Sequence, residues 1–94
     1  MKTYTDQEVT TLCAERAGWS GDSARITRTF EFPTFHRAVA FIVQAGMIAD
    51  VADHHPDMTI MYSRVRVDLS THSAGGVTGK DFALADALDA AAGS

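Results

Sequence analysis

Three of the four histidines in the sequence lie within residues 50–81. His54 and His55 are adjacent and are followed directly by Pro56, and His72 follows a run of alternating apolar residues. Imidazole is the side chain whose ordinary pKa lies nearest to neutral pH, and in its neutral form it is also a common metal ligand. Three such groups in one short segment therefore predict either proton transfer or metal binding.

Two carboxylates flank these histidines. Asp50 precedes His54 by four residues, and Asp81 follows His72 by nine. The alternating residues between His55 and His72 predict two antiparallel strands, and the open ends of a hairpin lie side by side. We therefore expect the three imidazoles to converge on one edge of a sheet, within reach of both carboxylates. This arrangement meets the requirements of general acid–base catalysis.

Each of these residues has a simpler interpretation when it is taken alone. The His-His-Pro sequence is also typical of a polar loop between a helix and a strand, and Asp50 of an ordinary surface residue. Asp81 has the position of the acidic residue in a helix capping box. His36, which lies on the second helix and away from the group, is expected to be exposed to solvent. The combination indicates a site more strongly than any single member does.

A metal site could use the same side chains, because three histidines are a known set of ligands for a catalytic zinc ion. Adjacent residues of an extended segment point to opposite sides, so His54 and His55 are poorly placed to bind one ion. The single cysteine, Cys13, excludes an intramolecular disulfide and argues against a zinc site built on cysteine. We therefore expect no bound metal, and we favour acid–base chemistry.

The composition predicts one globular domain. The chain has 94 residues, of which 46% are hydrophobic and 21% charged, and its net charge is −4. The lysines and arginines are scattered, which argues against a nucleic-acid partner because such proteins need a basic face. No apolar run approaches the roughly 20 residues of a membrane span, and the N-terminus lacks the apolar region of a secretory signal. We expect a cytoplasmic protein.

Hydrophobic periodicity and turn signals predict the order helix, strand, strand, helix, strand, strand, helix. A sheet built from hairpins is antiparallel and usually carries its helices on one face, so the expected fold class is α+β. The predicted helices cover residues 6–17 and 35–52 and a last segment that Thr78 opens. The predicted strands begin at Trp19, before a turn at 20–23, and cover 25–32, 58–62 and 65–70, with a break at 63–64 and a flexible loop at 73–76.

Three threonines mark the expected helix starts. Thr5 with Glu8, and Thr78 with Asp81, have the spacing of a capping box, in which side chain and backbone exchange hydrogen bonds at the helix N-terminus. Thr34 follows Pro33 and is a suitable cap for the second helix.

The second helix has more apolar residues than one buried stripe requires. One core-facing stripe is about 100° wide, so part of this surface would stay exposed in a monomer, and large exposed apolar patches usually mark an interface. An open sheet edge offers a second surface for pairing. We expect a homodimer at least, and a homotetramer if both surfaces are used. The expected stripe is Phe35, Ala38, Val39, Ile42, Ala45, Gly46 and Ala49, widened by Phe41 and Ile48.

Taken together, these residues resemble the signature of the pterin-4a-carbinolamine dehydratase family. That signature is an acidic residue, His-His-Pro, an aromatic residue, a further His and then Asp, at fixed spacings. Every spacing is kept here by Asp50, His54-His55-Pro56, Tyr62, His72 and Asp81. The resemblance extends to Gly18-Trp19, the strand from Arg28 to Phe32, Thr71-His72, Gly75-Gly76-Val77-Thr78 and Leu84-Ala85, and so covers nearly the whole chain.

Two departures from the family pattern bear on the site. Asp50 occupies a position where many members have Glu, so its carboxylate reaches one methylene less far. Met58 occupies a position where an aromatic residue is frequent, which would loosen a stacking wall for a flat ring.

The resemblance implies a four-stranded antiparallel sheet with three helices packed on one face, and a small homo-oligomer. The implied reaction is loss of water from a 4a-hydroxytetrahydropterin to give the quinonoid dihydropterin, without a metal or cofactor. The family also contains members that serve as assembly factors, so a non-catalytic protein with a possible protein partner is the alternative.

The resemblance also suggests a role for each site residue. We expect His54 and His72 to form an acid–base pair, His55 to position the pterin and Asp81 to orient an imidazole. The residues expected to contact or tune the substrate are Asp50, Pro56, Tyr62 and Thr71.

Overall fold

The computed structural model describes residues 1–93, which form three α-helices and four β-strands in the predicted order. The helices are α1 (Asp6–Ala14), α2 (Phe35–Ala52) and α3 (Gly79–Ala91), and a short 3₁₀ turn covers His72–Ala74. The strands are β1 (Ser20–Gly21), β2 (Ile26–Glu31), β3 (Asp57–Met61) and β4 (Arg64–Leu69).

The four strands form one antiparallel sheet in the order β1-β2-β4-β3. On the strand β4, Val65, Val67 and Leu69 are buried, while Arg64 and Arg66, which alternate with them, are exposed. This period of two buries one face of the sheet, and the helices cover that face. The predicted α+β class, with three helices on one face of a four-stranded antiparallel sheet, is confirmed.

Helix α2 has the predicted bounds, but it buries a different stripe. Phe41 is 3% exposed, whereas Phe35 is 49% exposed and Val39 lies on the same open side. The expectation that Phe35 and Val39 belong to the buried stripe is therefore wrong. The ring of Phe41 packs against Phe30 and Phe32 of the sheet, with centroid distances of 4.8 and 5.1 Å, and this contact sets the rotation of the helix. The buried residues of α2 are Ala38, Phe41, Ala45 and Ala49.

All three predicted caps are present. Complete capping boxes begin α1 at Thr5 and α3 at Thr78, and the Thr34 hydroxyl accepts a hydrogen bond from Arg37 N–H at 3.3 Å at the start of α2. The N-terminal segment is tied to α3 by Tyr4, whose ring meets Phe82 edge-to-face with centroids 5.8 Å apart.

Two boundaries near the N-terminus differ from the prediction. Helix α1 ends at Ala14 rather than Ala17, because the following turn is tightened by a three-residue hydrogen bond from Arg16 N–H to Cys13 O. Strand β1 occupies Ser20–Gly21, where a turn was expected, and the turn begins at Asp22 instead. The Asp22 carboxylate accepts a hydrogen bond from Ala24 N–H at 2.8 Å and so supplies the turn geometry.

The hairpin of β3 and β4 turns at Tyr62 and Ser63 rather than at 63–64. Tyr62 has a left-handed backbone (φ 56°) and is exposed. Its ring stacks on that of Phe35, with centroids 6.1 Å apart and planes 10° from parallel. Tyr62 is therefore a turn residue that contacts the exposed side of α2.

Among the described residues, α2 is the one helix that is long and apolar enough to cross a membrane, with 18 residues and a mean hydropathy of 1.3. It also packs against β3, β4 and α3, and it contains Arg37 and Asp50. Core helices of globular proteins share this composition. The absence of a membrane segment stays a prediction.

We predict that Phe41→Ala lowers the free energy of unfolding by about 3–5 kcal/mol, because it leaves a cavity against the two sheet aromatics. Urea denaturation monitored by circular dichroism measures this change. Phe41→Leu, which keeps most of the volume, is the matched control and should cost clearly less. An alanine variant with the wild-type urea midpoint would contradict the packing described here.

Candidate active site

The end of α2 sends the two adjacent histidines in different directions. Asp53, at the C-terminal cap, has a left-handed backbone (φ 51°), and His54 N–H then donates a hydrogen bond to Ala49 O at 3.1 Å. The chain continues extended through His55 into β3. As a result His54 points inward with a side chain 11% exposed, whereas His55 points outward and is 60% exposed. Neighbouring side chains of an extended segment are expected to diverge in this way.

His54 is held by a buried carboxylate. Its Nε2 atom lies 2.6 Å from Oδ1 of Asp81, which is completely buried. The other oxygen, Oδ2, accepts hydrogen bonds from the Thr71 hydroxyl at 2.8 Å and from Thr78 N–H at 2.9 Å. A buried carboxylate is stable only when its hydrogen bonds are satisfied, and Asp81 has partners for both oxygens. Asp81 is therefore held in place and restricts the orientation of the His54 ring.

His55 has its own carboxylate. Its Nε2 atom lies 2.8 Å from Oδ1 of Asp50, and both side chains are largely exposed. An exposed pair of this kind contributes little to stability, so its main effect is to restrict the orientation of the imidazole. The shorter side chain of Asp50, relative to the family's usual Glu, reaches this partner without difficulty.

His72 begins the 3₁₀ turn that follows β4 and is exposed. The expected flexible loop at 73–76 is instead closed by a bridge between Thr71 and Gly76. A Cβ atom on Gly76 would lie 2.7 Å from the carbonyl oxygen of Ser23, so only glycine lets the loop close against its neighbour. Gly75 provides the left-handed residue (φ 80°) that ends the turn.

The three histidines line one cleft of about 420 Å³, together with residues of the loops around them. This volume lies in the range of roughly 300–1,000 Å³ that small-molecule sites occupy. His55 and His72 also line a smaller cavity of about 90 Å³ on their other side. The predicted convergence of the three imidazoles on one sheet edge is therefore confirmed. The larger cleft is lined by Asp53, His54, His55, Ser70, Thr71, His72, Ser73 and Lys80.

Two of the candidate residues lie apart from this cleft. Tyr62 is at the turn of the β3–β4 hairpin, at the end of the strands opposite to His55 and His72. Pro56 only joins His55 to β3, and in the part of the chain that the structure describes it lines neither cavity. Met58, at the family's frequent aromatic position, packs against the core, so it does not form a wall of the cleft.

Several lining residues were not predicted. Lys80 and Asp53 supply opposite charges at the cleft, and Arg25 contributes to the smaller cavity. Lys80 immediately precedes Asp81 in the capping box, so its place at the start of α3 could have been inferred from the sequence. Arg25 carried no such signal, because the sheet order alone brings the start of β2 beside the end of β4.

Among the described residues, no cysteine lines the cleft. The Cys13 thiol is buried in the core, and this burial raises its pKa, so no reactive thiolate is available. Within residues 1–93, no group of three or more His, Cys, Asp or Glu side chains has a geometry that could hold a metal ion. Two of the three imidazoles of the cleft, those of His54 and His55, lie within hydrogen-bonding distance of a carboxylate.

Comparison with known proteins identifies the family of this chain. The sequence profile of the family described as "Pterin 4 alpha carbinolamine dehydratase" matches residues 2–91. The chain belongs to this family. It is 45% identical over 89 residues to a protein of Chloroflexus aurantiacus, an alignment that covers 95% of this chain and 96% of the relative. It is 43% identical over 84 residues to a protein of Sulfolobus acidocaldarius, covering 89% and 92%. Both relatives carry the name pterin-4-alpha-carbinolamine dehydratase.

Solved structures share the fold. A transcriptional coactivator/pterin dehydratase from Brucella melitensis matches with a TM-score of 0.90 and 36% identity, over 97% of this chain and 99% of that chain. A pterin dehydratase-like protein identified as a RuBisCO assembly factor matches with a TM-score of 0.68 and 21% identity, over 81% and 88%. The second similarity concerns the fold alone. The family resemblance inferred from the histidine signature is confirmed.

We predict that a strong chelator leaves the thermal midpoint of the purified, untagged protein unchanged, because Asp81 and the protein's own hydrogen bonds hold His54 in place. Differential scanning calorimetry before and after dialysis measures this, and elemental analysis provides the control. Stoichiometric zinc whose removal lowers the midpoint would instead establish a metal site.

Proposed function

We propose that the protein catalyses the dehydration of 4a-hydroxytetrahydropterin to quinonoid dihydropterin by histidine acid–base catalysis. The observation that carries this proposal is the convergence of three imidazoles on one cleft, two of them within hydrogen-bonding distance of a carboxylate. Family membership and the names of the curated relatives support the same substrate class.

The reaction requires two proton movements. The hydroxyl at C4a leaves as water only if it gains a proton, and a nitrogen of the pterin ring loses one, so that substrate becomes product plus water. No electron transfer and no covalent enzyme intermediate is needed. A positioned acid and a positioned base each contribute about 10² to 10⁴ in rate, and imidazole is suited to both tasks near neutral pH.

His54 and His72 are the proposed acid–base pair. With its Nε2 atom bound to Asp81, His54 is suited to accept a proton at its other ring nitrogen, because the carboxylate stabilises the resulting imidazolium. His72 is exposed, and in the described residues its ring has no carboxylate partner. It is suited to donate a proton to the leaving hydroxyl and to recover one from solvent.

His55 is the proposed positioning residue for the substrate. It lies between the larger cleft and the smaller cavity and is oriented by Asp50. A flat pterin ring in the larger cleft would therefore contact His55 while it lies between the other two imidazoles.

We predict that His54→Ala and His72→Ala each lower kcat by on the order of 10²-fold, because each removes one proton-transfer group. The rate of carbinolamine dehydration above the buffer rate measures this. His36→Ala is the matched control, since His36 is exposed on α2 and lines neither cavity. Wild-type rates in both site variants would show that the assignment is wrong.

A non-catalytic assembly or binding protein is the second candidate. The similarity in fold to a RuBisCO assembly factor shows that this architecture is not restricted to dehydratases. Wild-type protein that is folded but does not accelerate dehydration above the buffer rate would favour this candidate.

We also propose a homodimer that forms through the exposed side of α2. Every fourth residue there is a large apolar side chain, and together they form a ridge that is exposed in the single chain. The stacked ring of Tyr62 extends this ridge at Phe35. The ridge consists of Phe35, Val39, Val43, Met47 and Val51.

The order of residues along the ridge favours a second copy of the same chain. If two α2 helices cross in antiparallel fashion about Val43, then Val39 faces Met47 of the other copy. The same twofold arrangement brings His36 of one copy opposite Asp50 of the other, so that unlike charges face each other when His36 is protonated. Small residues flank the crossing point at Ala40 and Gly46 and allow close approach. Such self-complementarity is required of a twofold interface.

We predict that Val43→Glu shifts the protein from dimer to monomer, because a residue on the twofold axis places two like charges in contact. Sedimentation equilibrium at micromolar concentration measures the mass. Ala90→Glu, on the exposed side of α3, is the matched control.

Mixing Val43→Glu protein with Val43→Lys protein should restore the dimer, because the two charges then attract. A wild-type mass near the 10.1 kDa of one chain would contradict the proposed interface, and would leave the ridge for a different protein partner.

A further inference from the structure

A second buried hydroxyl lies one hydrogen bond beyond the residues that line the cleft. The Thr78 hydroxyl oxygen is 2.8 Å from that of Thr71, and Thr78 is completely buried. Thr71 in turn contacts Asp81, which contacts His54. Among the described residues no buried polar side-chain atom lacks a partner, so these groups form a complete chain of hydrogen bonds.

The donor and acceptor in each of these hydrogen bonds follow from the number of protons that each hydroxyl can donate. A threonine hydroxyl has one proton to donate, and Thr71 donates its proton to Asp81 Oδ2 at 2.8 Å. The contact between the two threonines therefore uses the proton of Thr78. The Thr78 oxygen accepts from Lys80 N–H at 3.3 Å. The donors thus run from the first turn of α3 through Thr78 and Thr71 to the carboxylate.

The carboxylate at the end of this chain of donors faces one nitrogen of His54 and so indicates which nitrogen carries the proton. An ionised carboxylate only accepts hydrogen bonds. With Oδ2 of Asp81 occupied by Thr71 and by the backbone of Thr78, Oδ1 is available to His54 Nε2. Nε2 is then the protonated nitrogen, and Nδ1 is left to exchange a proton with a ligand.

We propose that Thr78 is a positioning residue of the active site, whose hydroxyl proton fixes Thr71, and through it Asp81, so that His54 is held with its proton on Nε2. This proposal rests on the dehydratase function proposed above. Helix capping alone does not explain the contact, because a cap uses the hydroxyl oxygen as an acceptor and makes no use of its proton.

The capping box of α1 provides the comparison within the same chain. Thr5 and Glu8 make the same reciprocal hydrogen bonds, at 2.9 and 3.2 Å, but they do so at the surface. Within residues 1–93, neither side chain forms a hydrogen bond with Thr71, Asp81 or a histidine. The box at Thr78 differs because it is buried and because its hydroxyl continues into the cleft.

The test compares the kinetics of three variants. Thr78→Val removes the hydroxyl with little change of volume and should lower kcat about tenfold, a part of the roughly 10² to 10⁴ that an acid–base group contributes, with KM little changed. Thr78→Ser keeps the hydroxyl and should restore kcat. Thr5→Val removes the cap of α1, which does not line the cleft, and should leave kcat unchanged. Wild-type kcat in Thr78→Val, or an equal loss in Thr5→Val, would overturn the proposal.

Nuclear magnetic resonance tests the positioning role independently of turnover. In wild-type protein the ring nitrogen shifts of His54 should report a proton on Nε2, and the Thr78 hydroxyl proton should exchange slowly and show a contact to Thr71. In Thr78→Val the two ring forms of His54 should become mixed. A proton on Nδ1 in the wild type, or a rapidly exchanging Thr78 hydroxyl, would contradict the role even if the valine variant does not fold. Absence of wild-type dehydration would overturn only the function proposed for the site.

Discussion

The burial of the Asp81 carboxylate is the constraint on which the site depends. A carboxylate removed from water is strongly destabilising unless hydrogen bonds replace its hydration. Asp81 receives them from three different segments: Thr78 at the start of α3, Thr71 at the end of β4, and His54 after α2. The two threonines lie within 10 residues of Asp81, but His54 is 27 residues away, so the end of α2 must reach the start of α3 before every hydrogen bond of the carboxylate is made. The stability of the fold and the geometry of the site are thereby linked through one side chain.

This arrangement also explains how one residue serves two purposes. A cap at the start of α3 and a contact with an imidazole looked like alternatives for Asp81 in the sequence, yet its two carboxylate oxygens make both contacts. Oδ2 completes the helix cap at Thr78, while Oδ1 orients His54. A helix N-terminus favours a negative charge because its N–H groups are unpaired and the helix dipole is positive there. Helix α3 thus stabilises, at its own first turn, the charge that holds His54.

The sequence predicts well whatever depends on local spacing. The threonine caps, the range of α2 and the meeting of His55 with His72 all follow from patterns within a few residues or within one hairpin. The features that the sequence could not predict depend on the rotation of α2 about its own axis and on the order of strands in the sheet. Phe35 and Phe41 are both apolar residues of the same helix, and only the fit of Phe41 between two sheet aromatics decides which one is buried. Tyr62 fits the family spacing, but the hairpin turn places it on the exposed side of α2.

Helix α2 connects these features, because its two sides and its C-terminal end have separate tasks. On the buried side, Phe41 packs against the sheet and holds the helix in position. The position of the helix in turn determines where its C-terminal end places His54 and His55. Its exposed ridge ends at Val51, directly after Asp50, which orients His55. A second copy bound along that ridge would therefore cover the helix up to the residue that orients an imidazole of the cleft. In such a dimer, contacts that hold two chains together would also restrict Asp50, so the geometry at His55 would depend on the state of association.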